Sequence, residues 1–227
     1  MRRYGLIGKK LEHSFSGKYF TSKFKREKKT DCSYQLFPLN SIAELPGLFQ
    51  KYSDLAGLNI TIPYKVAVIP YLDRLDKVAA DVGAVNTIKV IRSENKMILE
   101  GYNTDVPGFI NSLDNPDRFN RVLILGTGGA AMAVAYALNQ MGIETLFVSR
   151  TKKADNVITY FDLDKETIQK HLLIIQATPA GMYPNVDSKP EIPYKYLTEK
   201  HFLYDLVYNP AETLFLKMGR ELGAETM

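Results

Sequence analysis

Cysteine is almost missing from this chain of 227 residues: Cys32 is the only one, so no internal disulfide can form. With one cysteine and three histidines, no Cys/His cluster has metal-ligand spacing, which argues against a structural zinc. Such cysteine usage suits a reducing compartment, and the expectation is a cytoplasmic protein. Long apolar runs are missing too. The first ten residues, MRRYGLIGKK, hold an apolar stretch from Tyr4 to Ile7 that glycine interrupts and that ends at once. A signal peptide needs a longer apolar core and a membrane span needs about 20 apolar residues, so neither is expected. Charge of one sign is scarce as well. The net charge of +4 is spread along the chain and leaves no nucleic-acid footprint. The basic cluster KFKREKK (Lys23 to Lys29) reads as a solvated helix face, although a weak positive field would help gather small anions. Repeats and low-complexity tracts are also lacking. What remains is an ordinary globular composition, 45% hydrophobic and 24% charged, long enough for one large domain or two small ones.

The first half alternates short apolar runs with helical patterns. RYGLIG reads as a strand closed by glycine, residues Gly17 to Lys28 as an amphipathic helix, and CSYQLFPL as a second strand. A helical stretch near Ser41 to Lys51 precedes the β-branched run LAGLNITI, which stops at Pro63. Residues Lys65 to Val82 look helical apart from a break at Pro70. NTIKVIR and MILEGYN, joined by the polar turn SENK, suggest a hairpin. The polar segment SLDNPDRFN marks a boundary, which a helix from Val106 to Leu113 can bridge. Beyond it RVLILG, AMAVAYALNQM and TLFVSR follow as strand, helix and strand, and LLIIQAT and FLYDLV are continuous apolar runs of the kind buried parallel strands show. The expected fold is two-domain α/β. Residues 1–112 form an α/β domain that binds substrate, and residues 113–227 a Rossmann-like, doubly wound domain that binds a dinucleotide.

The turn GTGGAA, from Gly126 through Thr127, Gly128, Gly129 and Ala130 to Ala131, sits directly between a strand and a helix. That context gives a short glycine motif its meaning. Gly126 allows the tight turn, Gly128 removes a side chain where backbone must approach a pyrophosphate, and the first helical amides face the anion. Ala131 replaces the usual third glycine and is small enough to keep helix and strand close. After the next strand come Ser149, Arg150, Thr151, Lys152 and Lys153, with no acid until Asp155. A carboxylate there would select NAD, whereas guanidinium and hydroxyl groups suit a 2′-phosphate, so NADP is the expected cofactor.

Polar residues in the first half cluster at the ends of apolar strands: HSFS (His13 to Ser16), NITIPYK (Asn59 to Lys65), GAVNT (Gly83 to Thr87) and GYNTD (Gly101 to Asp105). Taken singly, each has a bland reading as a helix cap, turn residue or surface lysine. As an ordered set, together with GTGGAA, SRT, QATPAGM (Gln176 to Met182) and DLVYNP (Asp205 to Pro210), they resemble the shikimate dehydrogenase family over nearly the whole chain.

The resemblance implies reversible reduction of 3-dehydroshikimate to shikimate with NADPH, in chorismate and aromatic amino-acid biosynthesis. It puts the substrate carboxylate on Ser14 and Ser16 with Tyr208 nearby, and the ring hydroxyls on Asn59, Thr61, Asn86 and Asp105. Lys65 and Asp105 become the catalytic pair, and Thr178 and Leu206 join the cofactor residues. This chemistry is coherent, since hydride delivery to a ketone builds negative charge that a neighbouring ammonium can stabilise and protonate. Three departures stand out: Ser149 and Gln176 occupy positions where the family commonly has asparagine, and the family's terminal helix, with its substrate-binding glutamine, has no counterpart before Met227. The expectation is that the natural protein runs further. Two other readings stay open: a quinate/shikimate dehydrogenase that accepts NAD, and a non-catalytic ligand sensor. The expected partner is a small molecule, with neither nucleic acid nor membrane, and the protein a monomer or homodimer.

Overall fold

The computed structural model describes residues 1–94, 96–152 and 154–227. Asn95 of the SENK turn and Lys153 of the basic loop lie outside the described residues. The chain divides into two compact units, Met1–Asp105 and Val106–Met227.

The first unit is built on a six-stranded mixed sheet. In chain order its elements are β1 (Arg2–Gly8), α1 (Ser16–Arg26), β2 (Cys32–Pro38), α2 (Leu45–Lys51), β3 (Leu55–Ile60), α3 (Tyr64–Ala67), β4 (Arg74–Leu75), α4 (Lys77–Val82), β5 (Thr87–Ser93) and β6 (Lys96–Tyr102). The strand order is β2-β1-β3-β5-β6-β4. Ile7, Leu45, Leu55, Val68, Ala79 and Val85 are wholly buried in its core. The stretch from Lys65 to Val82, expected to be helical apart from a break at Pro70, breaks there and is interrupted once more. It breaks into α3, a 3-10 turn at Ile69–Tyr71, the two-residue strand β4 and α4. The reason is local: Asp76 caps α4 by accepting from Ala79 N at 3.0 Å, while Arg74 and Leu75 pair with Glu100 and Gly101 of β6.

The topology gathers one set of loops. β1 pairs in parallel with β2 on one side and with β3 on the other, so the chain direction switches beside β1. Ligands of open α/β sheets sit outside the carboxyl ends of strands at such a switch. β5 runs antiparallel to both β3 and β6, with Asn59 opposite Thr87 and Thr87 opposite Tyr102. The exits of β1, β3 and β6 and the entry of β5 therefore share one edge, which is where HSFS, NITIPYK, GAVNT and GYNTD fall.

The second unit begins within α5 (Asp105–Ser112) and continues through β7 (Arg121–Leu125), α6 (Gly129–Gln140), β8 (Glu144–Ser149), β9 (Val157–Thr159), α7 (Lys165–Lys170), β10 (Leu173–Gln176), β11 (Phe202–Asp205), α8 (Leu214–Glu221) and β12 (Glu225–Thr226). Its sheet order, β12-β11-β10-β7-β8-β9, is the 3-2-1-4-5-6 order of dinucleotide-binding sheets when counted from β7. Every pairing in it is parallel. Leu123, Leu125, Val148, Ile174, Leu203 and Phe215 are wholly buried between sheet and helices. The division between Asp105 and Val106 lies one helix before the expected boundary at 112/113. Most of α5 goes with the second unit because Phe109 packs edge-on against Tyr204 and the Ser112 hydroxyl lies 2.7 Å from the Tyr204 hydroxyl.

Candidate active site

In the first unit the short helix α3 presents Lys65, whose carbonyl accepts from Val85 N at 2.7 Å. Asp105 opens α5, its amide donating to the Asn103 side chain at 3.1 Å, while Asn103 Nδ2 donates to the Ala84 carbonyl at 2.9 Å. Those two anchors bring Lys65 Nζ to 2.7 Å from Asp105 Oδ2, with the side chains 16% and 32% exposed. The pair is thus sheltered but reachable, and a charge-assisted bond of this length fixes where the ammonium points.

Asn86 organises the rest. Its Nδ2 donates to Asp105 Oδ1 at 2.7 Å and to Thr104 Oγ1 at 2.9 Å. Its Oδ1 accepts from Thr104 N at 2.8 Å and lies 3.1 Å from the Thr104 and Thr87 hydroxyls. The network continues through Asn59 Nδ2, which donates to Thr87 Oγ1 at 3.3 Å, and Tyr34, whose hydroxyl donates to Asn59 Oδ1 at 2.8 Å. Polar groups satisfied in this way hold one arrangement, because breaking any bond leaves a half-buried dipole unpaired. Ser14 lies on the turn after β1 and Ser16 opens α1, with Ser16 N donating to Ser14 Oγ at 3.2 Å. Thr61 follows β3, its amide donating to the Ile7 carbonyl at 2.9 Å.

In the second unit, Gly126 has φ +111°, a left-handed conformation that side chains disfavour, and a Cβ there would approach Thr178 Cγ2 to 2.9 Å. Gly128 is different. Its φ of −83° suits any residue, and a Cβ would meet no described atom within 4 Å. Packing therefore does not require glycine at 128, whereas a ligand approaching the backbone would. Gly128 caps α6 without a side-chain hydrogen bond among the described residues, and the first turn of that helix carries no acid. Its amides and dipole are available to an anion. Thr127, Gly129 and Ala130 are half-buried on the same turn. Ser149 is half-buried at the end of β8, and Arg150 and Thr151 beyond it are exposed. Gln176, wholly buried at the end of β10, holds the next loop: its Oε1 accepts from Thr178 N and Thr178 Oγ1, each at 3.0 Å. A nucleotide phosphate fits this donor set, with amides at a helix start, hydroxyls and a guanidinium after β8, and space at Gly128.

After β11, Asp205 Oδ1 accepts from Val207 N at 2.9 Å and Oδ2 from the Thr213 hydroxyl at 2.6 Å. Burial pushes its pKa up to about 6 despite those two bonds. Leu206 is half-buried and Tyr208 largely exposed on the same loop, where Tyr183 N donates to the Asn209 carbonyl at 3.0 Å. Among the described residues there is no group of His, Cys, Asp and Glu able to hold a metal, and no helix long and apolar enough to cross a membrane.

Lys65, Asp105, Asn86 and Asn59 thus fall in one hydrogen-bonded network, with Ser14, Ser16 and Thr61 on neighbouring segments of the same edge. Tyr208 and the cofactor residues belong to the second unit. Sequence reasoning missed Tyr34, Thr87, Thr104 and the Gln176 side chain. Thr87 and Thr104 stood inside quoted motifs, but Tyr34 looked like an ordinary aromatic of a strand.

The model of the shikimate dehydrogenase substrate binding domain matches residues 6–88. The chain is 40% identical to shikimate dehydrogenase (NADP(+)) of Clostridium beijerinckii, over 97% of this chain and 83% of that protein. It superposes on the crystal structure of shikimate dehydrogenase 1 from Peptoclostridium difficile with a TM-score of 0.84 and 35% identity, covering all of this chain and 84% of that one. Shikimate 5-dehydrogenase from Thermus thermophilus, solved with NADP(H) and shikimate, gives a TM-score of 0.82 at 28% identity, covering 100% of this chain and 87% of that one.

Proposed function

Since the chain belongs to the shikimate dehydrogenase family, we propose that it interconverts 3-dehydroshikimate and shikimate with NADP(H) as its cofactor. The observation that carries this reading is the Lys65–Asp105 ion pair, braced by Asn86 at the edge where the strand exits gather. NADPH, when bound, supplies the hydride. Lys65 Nζ donates a proton to the substrate oxygen as negative charge builds there. Asp105 Oδ2 holds that ammonium in position. Asn59, Thr61, Asn86 and Asp105 orient the ring hydroxyls, and the hydroxyls of Ser14 and Ser16 take the carboxylate. A hydroxylated acid calls for such a set of short polar side chains rather than an apolar pocket.

The turn Gly126, Thr127, Gly128, Gly129 and Ala130 would hold the pyrophosphate, Ser149, Arg150 and Thr151 the 2′-phosphate, and Thr178 and Leu206 the remainder of the dinucleotide. Arg150 and the lack of a carboxylate after β8 favour NADP over NAD. The single cysteine supports a cytoplasmic setting for the enzyme. The test is shikimate-dependent reduction of NADP+, measured beside NAD+ and with quinate as a competing substrate. Turnover of shikimate with NADP+ supports the reading, and its absence in folded protein overturns it.

A further inference from the structure

Tyr34 lies on β2, outside every motif that points to function, yet its hydroxyl meets a side chain assigned above to substrate. It donates to Asn59 Oδ1 at 2.8 Å. Its ring stacks on Phe20 of α1, with centroids 4.5 Å apart and planes 12° from parallel. The ring is thereby fixed by packing and the hydroxyl by its bond to Asn59. A carboxamide can be flipped end for end with almost no change of shape, so something must choose its direction. Because Tyr34 donates to Oδ1, the amide end of Asn59 is left to Thr87 Oγ1, 3.3 Å away. Thr87 in turn lies 3.1 Å from Asn86 Oδ1, and Asn86 donates to Asp105.

We propose that Tyr34 is a positioning residue for the substrate: its hydroxyl sets the orientation of the Asn59 carboxamide. The proposal rests on the functional reading above and deepens it. Asn59 meets a substrate hydroxyl as a donor, through Nδ2, and a substrate lacking an oxygen to receive it loses that contact. Tyr34 touches no reacting atom, so its loss acts on binding and leaves the chemical step intact.

Tyr34→Phe tests this, since the ring and its stacking on Phe20 survive and only the hydroxyl goes. Tyr194→Phe serves as the control: that hydroxyl donates to the Pro190 carbonyl at 3.0 Å in the second unit, so its removal costs a buried hydrogen bond away from the network. The expected result for Tyr34→Phe is a KM for shikimate raised about tenfold, the equivalent of one hydrogen bond of about 1.4 kcal/mol, with kcat and the KM for NADP+ within about twofold of native. Tyr194→Phe should lower the melting temperature and leave both KM values unchanged. A folded Tyr34→Phe protein with native KM for shikimate overturns the proposal alone. Equal losses in kcat and in both KM values also overturn it, as a structural role predicts. If the native chain does not turn over shikimate, the functional reading fails and the proposal falls with it.

Discussion

Asn86 and Asp105 share a hydrogen bond of 2.7 Å from Nδ2 to Oδ1, which leaves the opposite carboxylate oxygen to Lys65. The carboxylate is thus gripped from both sides, by an amide on the entry to β5 and by an ammonium on α3. Asn86→Asp tests the grip. The new carboxylate can still accept from Thr104 N, but it turns an acceptor toward Asp105 where a donor stood. Like charges at that distance repel, so shikimate turnover should fall at least tenfold at about pH 8 and recover in part as pH is lowered and one carboxyl is protonated. A pH profile parallel to the native one would contradict this.

Two glycines of the turn after β7 should respond in opposite ways. Gly126→Ala forces a side chain into φ +111° against Thr178, and strain of this kind costs about 1–3 kcal/mol, so the melting temperature should drop by several degrees. Gly128→Val puts its Cβ where no described atom lies within 4 Å and loses the N-cap preference of glycine, about 1 kcal/mol or less. It should melt near the native temperature while its KM for NADP+ rises tenfold or more. A Gly128→Val protein with native cofactor binding would remove that turn from the cofactor site.

Arg150 is exposed just beyond β8, where no carboxylate competes for the ribose. Arg150→Ala should raise the dissociation constant of NADP+ at least tenfold and that of NAD+ by less than twofold, as calorimetry would read directly. Equal effects on the two cofactors would mean that the guanidinium does not recognise the 2′-phosphate.

Asp205 gives the fold a pH dependence whose sign is fixed by burial. Its pKa is pushed from 3.8 up to about 6, so between those values the folded chain holds a proton that the unfolded chain has released. Stability from this group is full below about pH 4, falls as pH rises through about 6, and then levels off. Asp205→Asn keeps an acceptor for Val207 N and removes the charge. The stability of the variant relative to native should therefore rise between about pH 4 and 7, by about 2–3 kcal/mol. A pH-independent difference between the two proteins would contradict the assignment.

Much of this architecture was legible in the chain because its strands are continuous apolar runs and its loops carry distinct polar motifs. RVLILG, the glycine turn and AMAVAYALNQM read directly as strand, turn and helix, and β7 and α6 stand there. β4 could not be read that way: two residues make a strand only because Glu100 and Gly101 of β6 are beside them. Asn86 could be read as a turn residue of GAVNT, but not as a hub, since Thr104 and Asp105 reach it only through the antiparallel pairing of β5 with β6. Tyr34 was hidden for the same reason, its partners lying on α1 and β3. Gln176 stood out in the sequence only as a departure from the family's asparagine, whereas in the fold its buried carboxamide holds the loop that carries Thr178.

The central claim is that Lys65, placed 2.7 Å from Asp105 across 40 positions of sequence, donates the proton in the reaction. The most direct measurement is the turnover of Lys65→Ala, taken with shikimate and NADP+ binding by calorimetry and with thermal unfolding on the same preparation. Losing a positioned acid–base group costs about 10²–10⁴ in rate. The account predicts a fall in kcat of that order in a protein that still folds and still binds both ligands, because in the proposed site Ser14, Ser16, Asn59 and the glycine turn would supply most of the contacts. A folded Lys65→Ala protein with near-native kcat would contradict it.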